Sequence, residues 1–351
     1  MARGSSRSRV KYGVLAALAL AATAACGRDP APAAGGAGLP SLPIDPRSVT
    51  VSGPSAGGYM AVQFHVAYSD LVQGAGIVAA GPYRCSEGSV RHSLGRCMKG
   101  DEEIPTARLL GEASRLALDG AIAPIAGLAD DRVWIFHGAA DPYVATPVVN
   151  ALETFYEALV APEQIVRIEH PQAGHVFPTA DPAADPCASP VAPVAANCGL
   201  DGAHALLTHL YGGLAASGAA RPDGLVEFDQ RPYAEAAGSA GLAERGWLYV
   251  PQDCRAGGAT ACRLHVVFHG CKQGASFVGD RFVRRTGYLE AAEANRIVLL
   301  FPQIEPGFQP LNPYGCWDWW GYEGDDYALR SGAQLAAVRS MVADLMGDAD
   351  D

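Results

Sequence analysis

At 351 residues with 49% apolar content, the chain is long enough for a substantial core, as one sizeable domain or two small ones. Its formal charge is −11, and without the four cations of the first 25 residues (Arg3, Arg7, Arg9, Lys11) it falls to about −15, which excludes nucleic acid as a partner on electrostatic grounds. A charged fraction of only 18%, with 41 glycines and 25 prolines, fits a loop-rich secreted protein better than a helical bundle.

The N-terminus has the pattern of an export signal over residues 1–25. A basic stretch up to Lys11 is followed by an apolar run and then by small residues, a run too short and alanine-rich for a membrane span. Cys26, after Thr23-Ala24-Ala25, is a candidate for lipidation, although threonine replaces the usual large aliphatic residue. Residues 26–46 are Pro/Ala/Gly-rich and read as a tether, which places a single catalytic domain at 47–347. Any membrane contact is then expected only through a lipid at Cys26. The expected location is the periplasm or medium, with or without that anchor, and the expected state is a monomer.

Beyond the tether, strand-like and helix-like runs alternate, the pattern of a mainly parallel sheet with helices on both faces. Buried strands are expected near 49–51, 74–80, 132–136, 164–169, 264–268 and 297–301. Helices are expected near 56–68, 107–118, 146–159, 203–210, 282–295 and 332–346. Residues 225–230 and 247–250 read as an antiparallel edge, and the Pro/Cys-rich 178–199 as a surface excursion pinned by a disulfide. With Cys26 set aside, eight cysteines remain, an even number that favours disulfides in an exported chain. Sequence does not choose among about 105 connectivities. Short-range closure favours Cys85–Cys97, Cys187–Cys198 and Cys254–Cys262, which leaves Cys271 with Cys316. No Cys-x-x-Cys pair exists and the nine histidines are scattered, so no metal site is expected.

The chemistry-bearing residues come in a particular order. Gly53-Pro54-Ser55-Ala56-Gly57 lies between a strand-like and a helix-like run, the setting in which a sharp turn presents a nucleophilic serine. Such a serine needs a base, an acid to orient that base, and donors for the oxyanion. Asp141 follows the buried run Val133-Trp134-Ile135-Phe136-His137-Gly138, and His175 follows the strand expected at 164–169. Asp181, Asp185 and Asp201 are rival acids, whereas His137 reads as a structural turn residue. The order Ser55, Asp141, His175 is that of an α/β-hydrolase, but the His-Gly strand that normally precedes the nucleophile is absent from that place. It occurs late, as Leu264-His265-Val266-Val267-Phe268-His269-Gly270-Cys271. The fold expected is therefore a circularly permuted α/β-hydrolase, with the N–H groups of Ala56 and Cys271 as oxyanion donors.

Taken together, Gly53-Pro54-Ser55-Ala56-Gly57-Gly58-Tyr59-Met60, Asp141-Pro142-Tyr143-Val144, Gly174-His175 and His269-Gly270-Cys271-Lys272-Gln273 resemble the circularly permuted branch of the poly(3-hydroxybutyrate) depolymerase family. The resemblance spans about 47–347. It implies a single-domain serine esterase that cleaves short-chain polyhydroxyalkanoates without a cofactor, and the cysteine amide as second oxyanion donor. No Thr-rich linker or separate binding domain is visible, which leaves open whether dense crystalline granules or amorphous polymer and soluble oligomers are attacked. Three of the five tryptophans fall in Trp317-Asp318-Trp319-Trp320. Trp317 is the expected wall of the substrate crevice, with Tyr59, Tyr143 and Tyr83 as lesser candidates. Two other readings use the same residues: a feruloyl or acetylxylan esterase, and a catalytically silent envelope lipoprotein that binds polymer.

Overall fold

Eight strands build the main sheet: β1 (Ile44–Pro54), β2 (Val72–Val78), β3 (Arg132–Gly138), β4 (Ile165–His170), β5 (Leu225–Asp229), β6 (Arg245–Tyr249), β7 (Cys262–Val267) and β8 (Ile297–Phe301). This computed structural model describes residues 38–189, 191–255 and 260–348. Their spatial order is β4-β3-β2-β1-β7-β8-β6-β5. All neighbours run parallel except β8–β6 and β6–β5. The antiparallel edge is where sequence places it. In β8 all five residues are buried, so both faces of the sheet are covered there.

Parallel neighbours require crossovers, and these carry the helices α1 (Ala56–Ala67), α2 (Thr106–Leu118), α3 (Thr146–Glu157) and α5 (Tyr288–Asn295), whereas α4 (Gly202–Tyr211) follows β4 and α6 (Ala333–Met346) follows β8. Every residue of α1 is buried, so this helix lies inside the molecule, and its polar side chains Gln63 and His65 are bonded there, Gln63 to Asp318 O and His65 to Tyr156 and Asp131. The helix expected at 282–295 is instead two pieces, Arg281–Arg285 and α5. Gly287 between them has φ +84°, a left-handed conformation that ends a helical run.

The signal segment, Cys26 and the tether up to residue 37 lie outside the described residues. Residues 38–46 are not tether. Leu39 and Ile44 are buried, the Leu39 N–H donates to Tyr233 Oη at 3.2 Å, and the Leu42 N–H donates to Leu345 O at 2.8 Å. The folded unit therefore begins before residue 47. Among the described residues, no helix is long and apolar enough to cross a membrane.

Four disulfides join Cys85–Cys97, Cys187–Cys198, Cys254–Cys262 and Cys271–Cys316. The last spans 45 positions and so removes the most freedom from the unfolded chain, about 4 kcal/mol in the chain-entropy model. Cys187–Cys198 closes the excursion, which carries its own three-stranded sheet of Pro178–Thr179, Asp185–Pro186 and Ala196–Asn197.

A polar seam ties β1 to β7. His265 Nδ1 meets Thr50 Oγ1 and its Nε2 meets Ser52 Oγ, both at 2.7 Å, and Ser52 Oγ also meets Tyr288 Oη at 2.6 Å. Burial pushes the His265 pKa down from 6.5 to about 3. Between those values the unfolded chain binds a proton that the folded chain refuses, so the stability from a neutral His265 is complete above about 6.5 and declines as pH falls towards 3. The urea midpoint is expected to drop between pH 7 and pH 4, with a shallower slope in His265→Gln. An identical slope in both proteins would contradict this.

Candidate active site

The central strand β1 runs straight into α1 through a turn with Ser55 at its apex. Ser55 has φ 56° and ψ −126°, a conformation costly for a residue with a Cβ. Its N–H donates to Val78 O of β2 at 2.8 Å, and its carbonyl accepts from Tyr59 N–H at 3.0 Å. The hydroxyl makes no capping bond to the helix, which leaves it available to the cleft.

Glycine is required beside it. A Cβ on Gly57 would lie 2.2 Å from Phe268 O and 2.7 Å from His269 O, so the late loop passes directly over the nucleophile turn. Gly57→Ala forces backbone against backbone and is expected to cost about 1–3 kcal/mol or more. Chemical denaturation measures that loss, and a variant as stable as the parent would show that the loop is not seated there.

Asp141 sits in the turn that ends β3, and its side chain is fully buried. One oxygen, Oδ1, accepts the N–H groups of Tyr143 at 2.8 Å and Val144 at 3.0 Å. The other, Oδ2, lies 2.7 Å from His175 Nδ1. With a carboxylate as acceptor, the imidazole proton belongs on Nδ1, which leaves Nε2 free to accept one. The loop after β4 that carries His175 is tied down by bonds from Ala139 N–H to His170 O, Ala140 N–H to Ala173 O and Gly174 N–H to Cys187 O, each 3.0 Å. His137 is buried, and its Nε2 lies 3.1 Å from Val144 O, which braces the Asp141 turn. Asp201 caps α4 through the His204 N–H, and Asp181 binds the Ala183 N–H in its own loop. It is Asp141, rather than Asp181, Asp185 or Asp201, that bonds to His175.

Ser55, His175 and Cys271 line one small cavity, together with Pro54, Val78, Ala79, Val176, Phe177, Ala192, Gly270 and Gln273. Ala56 is the first residue of α1, where helix geometry leaves the N–H without an intrahelical acceptor. Among the described residues the Cys271 N–H has no acceptor either, whereas its neighbours are all engaged. Gly270 N–H donates to Gln273 Oε1 at 2.8 Å, and Gln273 Nε2 donates to Pro193 O at 3.1 Å. Lys272 N–H donates to Tyr314 O at 2.8 Å. His269 Nδ1 lies 2.8 Å from Gly270 O, and its Nε2 accepts the Ile304 N–H at 3.1 Å. That second bond fixes the proton on Nδ1, so the imidazole grips the Gly270 carbonyl. A trans peptide points its C=O and N–H in opposite directions, so holding the Gly270 oxygen aims the Cys271 N–H. Burial pushes the His269 pKa down to about 4, which keeps the imidazole neutral in neutral solution.

Three expectations for the crevice are corrected. Trp317 is fully buried against Phe268 and His269, with ring centroids 5.0 and 5.7 Å away, and is core rather than wall. Tyr59 is only 3% exposed. Its hydroxyl donates to Cys97 O and its ring stacks on Trp319 at 4.0 Å. Tyr83 is buried too, with its hydroxyl on Ala328 O at 2.7 Å. Tyr143 is 41% exposed and sets its ring edge-on to His175 at 5.2 Å. Gln273 closes the quoted His269–Gln273 stretch, but the sequence reading gave it no role of its own. Among the described residues, no group of three or more His, Cys, Asp and Glu is placed to hold a metal ion.

The parallel sheet, the strained serine turn and the His–Asp pair define an α/β-hydrolase of the serine-hydrolase class, permuted so that its late strands complete the sheet beside β1. No protein-family model matches the chain. It is 35% identical over 325 residues to a polyhydroxybutyrate depolymerase of Talaromyces funiculosus, covering 88% of this chain and 92% of that relative. The chain belongs to the poly(3-hydroxybutyrate) depolymerase family. A poly(3-hydroxybutyrate) depolymerase of Delftia acidovorans is 43% identical over 332 residues, 94% of this chain; the chain spans 65% of that relative's length. The crystal structure of a PHB depolymerase from Penicillium funiculosum superposes with a TM-score of 0.81 at 33% identity, over 90% of this chain and all of the other. A serine-to-alanine variant of a PHB depolymerase, complexed with an R3HB trimer, gives a TM-score of 0.82 at 32% identity, with the same coverage of both chains.

Proposed function

We propose that the chain hydrolyses poly(3-hydroxybutyrate), related short-chain polyhydroxyalkanoates and their oligomers through an acyl-enzyme. Ser55 attacks the ester carbonyl while His175 Nε2 takes its proton, and Asp141 holds the imidazole in the tautomer this requires. The carbonyl oxygen becomes negative between the N–H groups of Ala56 and Cys271. His175 returns the proton to the leaving alcohol, and water repeats the sequence on the acyl-serine.

One observation carries the reading. The histidine bonded to a buried carboxylate shares a small cavity with a strained serine and an unengaged amide from the far end of the sequence. Val78, Ala79, Val176, Phe177 and Ala192 make much of that lining apolar, which suits an uncharged ester chain. Tyr143, exposed beside His175, is the aromatic residue proposed to touch substrate. A monomer is the proposed working unit. The four disulfides support export to an oxidising compartment.

The test is clearing of an amorphous polyhydroxybutyrate suspension, run beside feruloylated and acetylated xylan. Clearing of the polyester alone is the expected result. Release of ferulate or acetate from xylan with no clearing would replace this reading with a carbohydrate esterase.

A further inference from the structure

The chain has only three lysines, Lys11, Lys99 and Lys272, within 26 lysines and arginines. Both lysines among the described residues border loops that carry proposed site residues. Lys272 adjoins Cys271, with Nζ 4.2 Å from the centre of the Tyr314 ring. Lys99 reaches the opposite catalytic element: its Nζ donates to Pro142 O at 2.7 Å, next to Asp141, and lies 5.8 Å from the Tyr143 ring centre. The same Tyr143 ring touches both groups, since its centre also lies 5.2 Å from that of the His175 imidazole, edge-on. Among the described residues neither lysine forms an ion pair. An ammonium has three donors, and the single carbonyl contact leaves two for a ligand.

The position of Lys99 is fixed by the fold. Its loop is closed by Cys85–Cys97, held to α1 by Tyr59 Oη on Cys97 O, and held to the turn before α3 by Ala145 N–H on Met98 O at 2.8 Å. Elements that carry the serine and the acid thus grip the same short loop.

We propose that Lys99, with Tyr143 as its floor, binds the terminal carboxylate of a 3-hydroxyacyl oligoester on the leaving-group side of the cleft. This inference rests on the esterase reading above and adds direction to it. In a 3-hydroxyacid polyester, the acyl side of the broken bond leads to the hydroxyl end, and the leaving alcohol leads to the carboxyl end. Hydrolysis adds water across the ester: hydroxide remains with the acyl carbon, and the proton goes to the alkoxide from His175. The leaving alcohol therefore departs past His175, towards Tyr143 and Lys99. When the last bond is cut, that alcohol is itself a 3-hydroxy acid whose carboxylate lies two carbons from the departing oxygen.

The experiment compares kcat/KM for a 3-hydroxybutyrate trimer as the free acid and as its methyl ester, in the parent, Lys99→Met, Lys99→Arg and Lys272→Met. Taking the ratio within each protein removes any general loss of activity. The parent is expected to prefer the free acid about three- to fivefold at low salt, the scale of a solvent-exposed ion pair. That preference is expected to fade near about 0.5 M salt, where the Debye length is short. Lys99→Met should bring the ratio to one and Lys99→Arg should retain it. Equal use of both trimers by the parent, a preference that survives Lys99→Met, or one lost only in Lys272→Met would overturn the assignment. Failure of the esterase reading looks different: neither trimer is cleaved by a folded protein.

Discussion

Replacing Ser55 with alanine is expected to lower kcat on ester substrates by about five to six orders of magnitude, the loss seen when a serine nucleophile is deleted. His175→Ala should cost about the same, because the two act as one unit. Asp141→Asn should retain a trace, near 10⁴-fold below the parent, since it presents the wrong tautomer while the geometry survives. Labelling by a fluorophosphonate probe, read by intact mass, should vanish in Ser55→Ala and slow in the other two. Residual turnover in Ser55→Ala within tenfold of the parent would place the nucleophile elsewhere. The alanine also loses little in folding, because the Ser55 hydroxyl makes no helix-capping bond. Denaturation midpoints therefore separate chemical from structural loss.

The second large effect concerns His269, which touches no substrate. Its Nδ1–H holds the Gly270 carbonyl, and through one rigid peptide unit it aims the Cys271 N–H, the second oxyanion donor of the proposed mechanism. His269→Leu is expected to lower kcat about 10²-fold with KM nearly unchanged, since an oxyanion donor acts only in the transition state. Two amides discriminate between aiming and mere packing. Asparagine at 269 places a donor near the Nδ1 position, whereas glutamine reaches only the Nε2 position beside Ile304. Activity recovering in His269→Asn but not in His269→Gln supports the aiming role. The reverse order would make His269 a prop for the 304 segment alone.

Much of the site was legible because its three side chains each follow a strand that sequence could locate. Ser55 lies between β1 and α1, Asp141 in the turn after β3, and His175 in the loop after β4. The late His269-Gly270-Cys271 stretch was readable only by asking what was missing upstream. What sequence misread depends on partners far away in the chain. The loop after Trp317 winds around Asp318, whose carboxylate accepts N–H groups from Trp320, Gly321, Tyr322 and Glu323. That winding, rather than any local pattern, accompanies an inward Trp317. Gln273 earns its place through Pro193, 80 positions away. Residues 38–46 looked like tether because their anchors, Tyr233 and Leu345, lie far along the chain.

The seam between β1 and β7 has a biosynthetic consequence. Ser52 pairs with Val267, so the serine emerges from the ribosome long before the strand that will flank it. A growing polypeptide carrying the nucleophile, acid and base still lacks the amide from position 271 and the cystine that steadies its loop. On the proposed mechanism, ester-cleaving power therefore arrives last, once the whole translated length has closed its central seam and its thiols have been oxidised. With export as proposed, the cell that makes it is spared a working hydrolase in its own cytoplasm.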